Sequence, residues 1–211
     1  MPRTSREARK ASPYSVHPGV AMVQSVLAKL PEKTGKTLEE WVAFIKASGP
    51  PTEKERREWL KREHGLGTNY AWWLAERAEG KGEEDGDPEA YLRAAVGYVD
   101  AMFAGPKAGL RPIYDRLLAM GLALGPDAKA CPCKTIVPLY RHHVFAEIKP
   151  ATRTRIDLGF ALKDRPATGR LVDTGGFAKK DRITHNIAIT ALEEIDEEVG
   201  RWLKAAYDLD A

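Results

Sequence analysis
The chain has no serine after Ser48, so everything downstream lacks the hydroxyl that a Ser/His/Asp group sets beside its base, and serine catalysis is excluded there. It also has little cysteine. Cys131 and Cys133 are the two thiols, separated by Pro132 alone; residues so close in an extended setting bridge poorly, which excludes a disulfide-stapled scaffold and predicts reduced thiols. No apolar run approaches the roughly 18 to 20 residues of a membrane span. The start of the chain lacks the apolar stretch of a signal peptide, so a cytoplasmic location away from the membrane is expected. Neither sign of charge dominates: 33 Lys and Arg against 30 Asp and Glu leave +3, too weak a field to force a polyanionic partner on the whole molecule. No nucleotide-cofactor fingerprint occurs. Gly35-Lys36-Thr37 copies the tail of a phosphate-binding loop, but Leu30 stands where its first glycine belongs, so that motif is absent and no cofactor is expected.

What the chain does have is 43% apolar residues, an ordinary core's worth, over 211 residues that fit one large domain or two small ones. Residues 1–19 are basic, rich in Ser and Pro and without periodicity, and read as a flexible arm. Residues 20–80 read as a four-helix domain. A short helix over Val20 to Leu30 leads; Thr37 and Glu40 form a capping box before the stripe Trp41, Phe44, Ile45; Gly49-Pro50-Pro51 stops that helix. Thr52 caps a third, which runs to His64, and Gly65-Leu66-Gly67 delivers a fourth with Leu66, Tyr70, Trp73 and Leu74 on one face. Residues 81–88 are acidic and glycine-rich, a linker. Residues 89–211 read as an α+β domain. Helices near Glu89 to Phe103 and Leu110 to Leu124 precede strands at Lys134 to Tyr140, His143 to Lys149, Thr154 to Leu162, Arg170 to Asp173 and Arg182 to Thr190, and a helix from Leu192 to Tyr207 closes the chain. The expected fold is α+β: a four-helix module, then a twisted antiparallel sheet of about four to five strands packed by helices.

Two stretches resemble known families. Lys33 to Trp41, KTGKTLEEW, followed by Leu60 to Ala71, LKREHGLGTNYA, resembles a short helical family of bacterial proteins whose function is unassigned. Ile113 to Tyr207 resembles a second such family often found behind it, through Tyr114, Gly125 to Asp127, Lys134-Thr135, Phe145, Lys149-Pro150, Leu158-Gly159 and His185. The resemblance implies the fold and the tandem layout. It implies no reaction and no catalytic residues, and Cys131 and Cys133 lie outside its pattern.

Four groups of residues are candidates for chemistry. Gly65-Leu66-Gly67 with Ala71 resembles the core of a helix-hairpin-helix, in which backbone amides hold phosphates; Gly65, Gly67, Thr68 and Asn69 are then binding candidates, although His64 replaces the usual proline and a plain helix-joining turn explains the same residues. Pro126-Asp127 with Glu147-Ile148-Lys149 outlines a metal-dependent nuclease. With a hairpin turn centred on Arg141 and His142, however, Glu147 pairs with Ile136, nine positions or roughly 30 Å from Asp127, too far to share a metal. Cys131, Cys133, His142, His143 and His185 have poor zinc spacing, and His185 reads as a hydrogen-bonded core histidine. The fourth group is the outer sheet face. The same register sets Lys134 directly opposite Lys149, beside Tyr140, His143, Phe145 and Arg155, in a region from Asp127 to Thr190 that carries 12 Lys and Arg against 6 Asp and Glu. Such a face holds single strands or anionic ligands by stacking and charge, or is simply solvated with local ion pairs. The expected function is non-enzymatic binding of an anionic partner, nucleic acid first and a small anionic ligand second. The alternatives are a metal-dependent hydrolase using Glu147 and Lys149, and a protein-interaction adaptor docking through the acidic terminal helix.

Overall fold
The computed structural model of the chain describes residues 12–211, so the arm expected over 1–19 lies outside the described residues as far as residue 11. From Ser12 onward the chain is placed: Tyr14 makes a parallel bridge with Ala130, and the Ser15 N–H donates to the Ala130 carbonyl at 2.9 Å. Two compact units result, one over Val16–Ala94, the other over 12–15 together with Ala95–Ala211.

The first unit contains helices α1 (Pro18–Ala28), α2 (Leu30–Thr34), α3 (Leu38–Ser48), α4 (Glu53–His64) and α5 (Thr68–Ala78), five where the sequence reading has four. The extra element is α2. Pro31 fits the first turn of a helix because its missing N–H would be unpaired there anyway, and Gly35 at φ 74° ends that helix after five residues. Thr34 binds it to its neighbour, donating to the Leu30 carbonyl and accepting from the Trp41 indole at 2.8 Å. Capping boxes start both α3 (Thr37 with Glu40) and α4 (Thr52 with Glu55). Gly65, at φ 65°, ends α4; its N–H and that of Leu66 both donate to the Leu60 carbonyl. The position before it, His64, is gripped edge-on by the rings of Trp41, Phe44 and Trp59 at centroid distances of 5.5, 5.3 and 4.5 Å. The core joins Leu30, Trp41, Ile45, Leu60, Leu66, Ala71 and Leu74. Acidic residues Glu83–Asp85 form a turn of 3-10 helix, and α6 (Pro88–Met102) follows.

In the second unit, a turn of 3-10 helix (Gly105–Leu110) and α7 (Arg111–Leu122) precede six strands: β1 (Lys129–Ala130), β2 (Val137–Tyr140), β3 (Val144–Lys149), β4 (Ile156–Phe160), β5 (Val172–Asp173) and β6 (His185–Ile189). The sheet order is β1-β2-β3-β4-β6-β5, antiparallel throughout, one strand more than expected because Lys129-Ala130 pairs with Leu139 and Tyr140. Helix α8 (Gly176–Lys179) sits between β5 and β6, and α9 (Glu197–Asp208) closes the unit. One row of the sheet, Val137, Ile148, Leu158 and Ile187, is wholly buried. At roughly 2 kcal/mol per buried aliphatic side chain, rows of this kind are the main stabilising term of the unit. Helix α7 lies so close over Leu139 that a Cβ on Gly121 would strike it, and α9 adds Val199, Leu203, Ala206 and Tyr207 to the same core.

Two details of the hairpin differ from the sequence reading. Glu147 faces Pro138, not Ile136, so the register is displaced by two residues; this keeps Ala146, Glu147, Ile148 and Lys149 on their expected faces but removes the direct opposition of Lys134 and Lys149. Lys149 instead faces Asp157. Between Leu139/Ala146 and Tyr140/Val144 the strands lose step, and Phe145 is the extra residue of a bulge. Alternation fails at a bulge, and Phe145 and Ala146 are both buried. Among the described residues no helix is long and apolar enough to cross a membrane.

Candidate anion-binding site
The residues proposed for the outer sheet face disperse. Phe145 is not a surface stacking platform: it is fully buried, its ring 5.5 Å from that of Tyr207 in a T-shaped contact. Tyr140 is half-buried, and its hydroxyl is pushed up in pKa by burial, with the nearby Cys131 and Cys133 adding in the same sense. His143 is exposed, but its backbone N–H donates to Asp210 at 2.7 Å and its Nδ1 lies 3.0 Å from the same carboxylate, so it belongs to a clasp on the C-terminus. Arg155 is paired with Asp157 at 2.8 Å. Gly65, Gly67, Thr68 and Asn69 lie in the other unit, where Gly67 opens α5 without a side-chain cap and Thr68 and Asn69 are exposed.

Lys134 and Lys149 nevertheless converge. The β1–β2 connection brings Lys134, and the end of β3 brings Lys149, to the rim of a pocket of about 560 Å³ whose other cations are Lys107 and Arg153. Lys107 comes from the 3-10 turn after α6 and is fixed by donating from Nζ to the Pro150 carbonyl at 2.6 Å. Arg153 comes from the β3–β4 connection. Lys134 Nζ stands 5.9 Å from the Tyr98 ring centroid, a cation–π distance. The remaining wall is mostly apolar, with Ala101, Met102, Pro106 and Ala151. Among the described residues no carboxylate lines this pocket, and none of its four cations stands in an ion pair. Four positive charges lining one pocket that no carboxylate of the described residues lines repel one another, and an anion entering between them lowers that cost.

Lys107 and Arg153 were not legible as site residues. The signals are Gly105-Pro106-Lys107, a rigid turn, and Pro150 to Arg153, a short basic connection; neither says which cations it will meet.

The metal readings find no support in the geometry. Asp127 accepts from Tyr207 and from Arg141 at 2.9 Å, and these two bonds hold its carboxyl at a pKa of about 2; it is not brought to Glu147. Among the described residues no group of three or more His, Cys, Asp or Glu is placed to share a metal. Cys131 and Cys133 are not joined in a disulfide, and burial pushes the Cys131 thiol up to about 12. His185 is a core histidine with both nitrogens bonded: Nε2 lies 2.7 Å from the Arg165 carbonyl and must donate to it, which leaves Nδ1 to accept from the Thr184 hydroxyl at 2.8 Å.

On the polar face beside Lys149, Glu147 is half-buried, and burial raises its pKa against the opposing effect of Lys149.

A protein-family model described as "Domain of unknown function (DUF5655)" matches residues 99–210, more than half of the chain, and the chain belongs to that family. A second, "Domain of unknown function (DUF4287)", matches residues 22–80, so the chain is a tandem of the two domains. No match was found among curated proteins or among solved structures.

Proposed function
We propose that this member of the DUF5655 family binds an anionic partner through the pocket of Lys107, Lys134, Lys149 and Arg153, and that the partner is nucleic acid, held by its phosphates. The observation that carries this reading is the convergence of four cations, three from separate connections and one from the end of β3, on one concave site, with no carboxylate of the described residues in its lining. Phosphate-bearing ligands match a pocket with clustered lysines and an apolar wall, because the charge is met by the lysines and the sugar or base by Met102, Pro106 and Ala151. Binding of this kind weakens steeply with salt, since each phosphate neutralised releases a counterion. The test is fluorescence anisotropy of a labelled oligonucleotide at low salt. The double variant Lys134→Ala/Lys149→Ala is expected to lose at least about tenfold in affinity and to flatten the salt dependence by about one log unit per lost phosphate contact. Equal binding by the double variant, or no binding by the unaltered chain, would sink the reading.

A hydrolytic reading retains one specific observation, the half-buried Glu147 two residues before Lys149. It requires a divalent ion to bind purified protein and support cleavage that Glu147→Ala abolishes; binding without turnover leaves the non-enzymatic reading in place.

A further inference from the structure
The basic pocket is one end of a longer feature. Lys149 lines it and also lines a second depression, of about 450 Å³, on the polar face of the sheet. Asp181 and Arg182 line that second depression and also a third, of about 550 Å³. The three therefore join through shared side chains into one track that follows β4. From Asp157, which faces Lys149, to Ala161, which lines the third depression, is four residues, about 13 Å of strand.

The far end is built differently from an ordinary solvated loop. Phe177 lines it with its side chain 53% exposed. Lys163 and Lys180 line it too, and these are the two non-glycine residues with positive φ among the described residues, at 58° and 61°. A lysine held in the left-handed region is unfavourable where a glycine would serve, and here both cases stand at one depression. The loop that presents Phe177 is fixed from beneath. Thr174 donates to the Thr184 carbonyl twice, from N at 3.0 Å and from Oγ1 at 2.9 Å, and a Cβ on Gly176 would strike the Ile183 carbonyl. The backbone that presents the ring is thus anchored at Thr174 and Gly176.

The middle of the track is of opposite character. Between Lys149 at one side and Arg182 at the other, Glu147, Asp157 and Asp181 line it with Asn186 and Thr174, acceptors that suit the amino groups of bases.

We propose that the track is a channel for single-stranded nucleic acid, with phosphates gripped at the two basic ends, base edges against the acidic middle, and one base stacked on Phe177. The proposal rests on the reading of the basic pocket given above and adds the strand class, the path and a second anchor. A duplex does not fit it, because its bases are not free to stack on a protein ring.

The experiment titrates the full chain with labelled oligo(dC) of increasing length, with a duplex of the same length, and with inorganic pyrophosphate, whose Lys134-dependent binding reports the basic pocket. Lys163→Gly and Lys180→Gly remove the charges while suiting the backbone, and near-ultraviolet circular dichroism confirms that each variant is folded. Affinity is expected to rise from the dinucleotide to the octanucleotide, to exceed that for the duplex, and to exceed that for oligo(dT), which lacks amino donors. Phe177→Ala, and the two glycine variants combined, should each weaken octanucleotide binding about tenfold and leave the Lys134-dependent binding of pyrophosphate unchanged. If the octanucleotide binds no better than the dinucleotide, if the duplex binds as well, or if Phe177→Ala changes nothing, the channel is overturned while the pocket stands. Pyrophosphate binding that depends on Lys134 without binding of any strand overturns both the channel and the nucleic-acid reading and leaves a small-anion site. Absence of binding by every probe overturns both.

Discussion
Asp210 shows how one carboxylate can hold the end of a chain. It is 6% exposed, and although burial pushes its pKa up, the backbone N–H and ring of His143 and the guanidinium of Arg182 win and hold it below the ordinary carboxylate value. A carboxylate with a depressed folded-state pKa contributes stability that is present above its unfolded value, near 3.9, and is lost as pH falls through the folded value. Asp210→Asn should therefore cost about 2 kcal/mol at neutral pH, the usual worth of hydrogen bonds to a charged group, with the difference shrinking below about pH 4. Urea melts at the two pH values would show it, and equal losses at both would contradict the assignment. Glu147 works in the opposite direction: burial raises its pKa, and once ionised it offsets the neighbouring Lys149. Pyrophosphate binding at the basic pocket should then weaken as pH rises through the Glu147 pKa, and Glu147→Gln should strengthen it about two- to fivefold above that pKa and remove the pH dependence. An unchanged pH profile in the variant would exclude Glu147 as the cause.

At the scale of elements, local signals were legible and long-range ones were not. Thr37 with Glu40 and Thr52 are short-range caps whose partners lie within four residues, so the sequence specifies them directly, and both form. The Gly65 turn is equally local. A Cβ there would meet nothing, so the cost of replacing it is the φ of 65° alone, and Gly65→Ala should lower the stability of the helical unit by about 1 kcal/mol while Gly67→Ala, at an N-cap with negative φ, costs less. Comparable losses at the two positions, measured by chemical denaturation, would count against this account of the turn. His64 explains why the proline of a helix-hairpin-helix is missing: the position is filled by a ring that three aromatic side chains enclose. The β2–β3 register was less legible. Period-two alternation gives the faces correctly for any even displacement, so Val137, Leu139, Ala146 and Ile148 fall on the buried face as expected, while the pairing itself is off by two. The bulge at Phe145 leaves no mark in the hydrophobic pattern, because an apolar residue suits a surface platform and a core equally well.

For the whole molecule, the net charge of +3 conceals what matters, which is where the cations meet. The surplus of basic residues between Asp127 and Thr190 was visible in the sequence, and so were Lys134 and Lys149; Lys107, which completes the pocket from outside that stretch, could not be inferred because only the folded chain brings the turn after α6 to the end of β3. Lys134 and Lys149 are not directly opposed as the expected register had them, yet both reach one site, because connections at one end of an antiparallel sheet cluster there whatever the exact pairing. The most direct test is to record amide chemical shifts of the full chain while titrating a single-stranded oligonucleotide at low salt. Binding at the pocket predicts that Lys107, Lys134 and Lys149 to Arg153 shift first and together, and that added salt reverses those shifts. Shifts that instead begin at Gly65 to Asn69 or along the acidic α9, with the pocket residues unmoved, would contradict it.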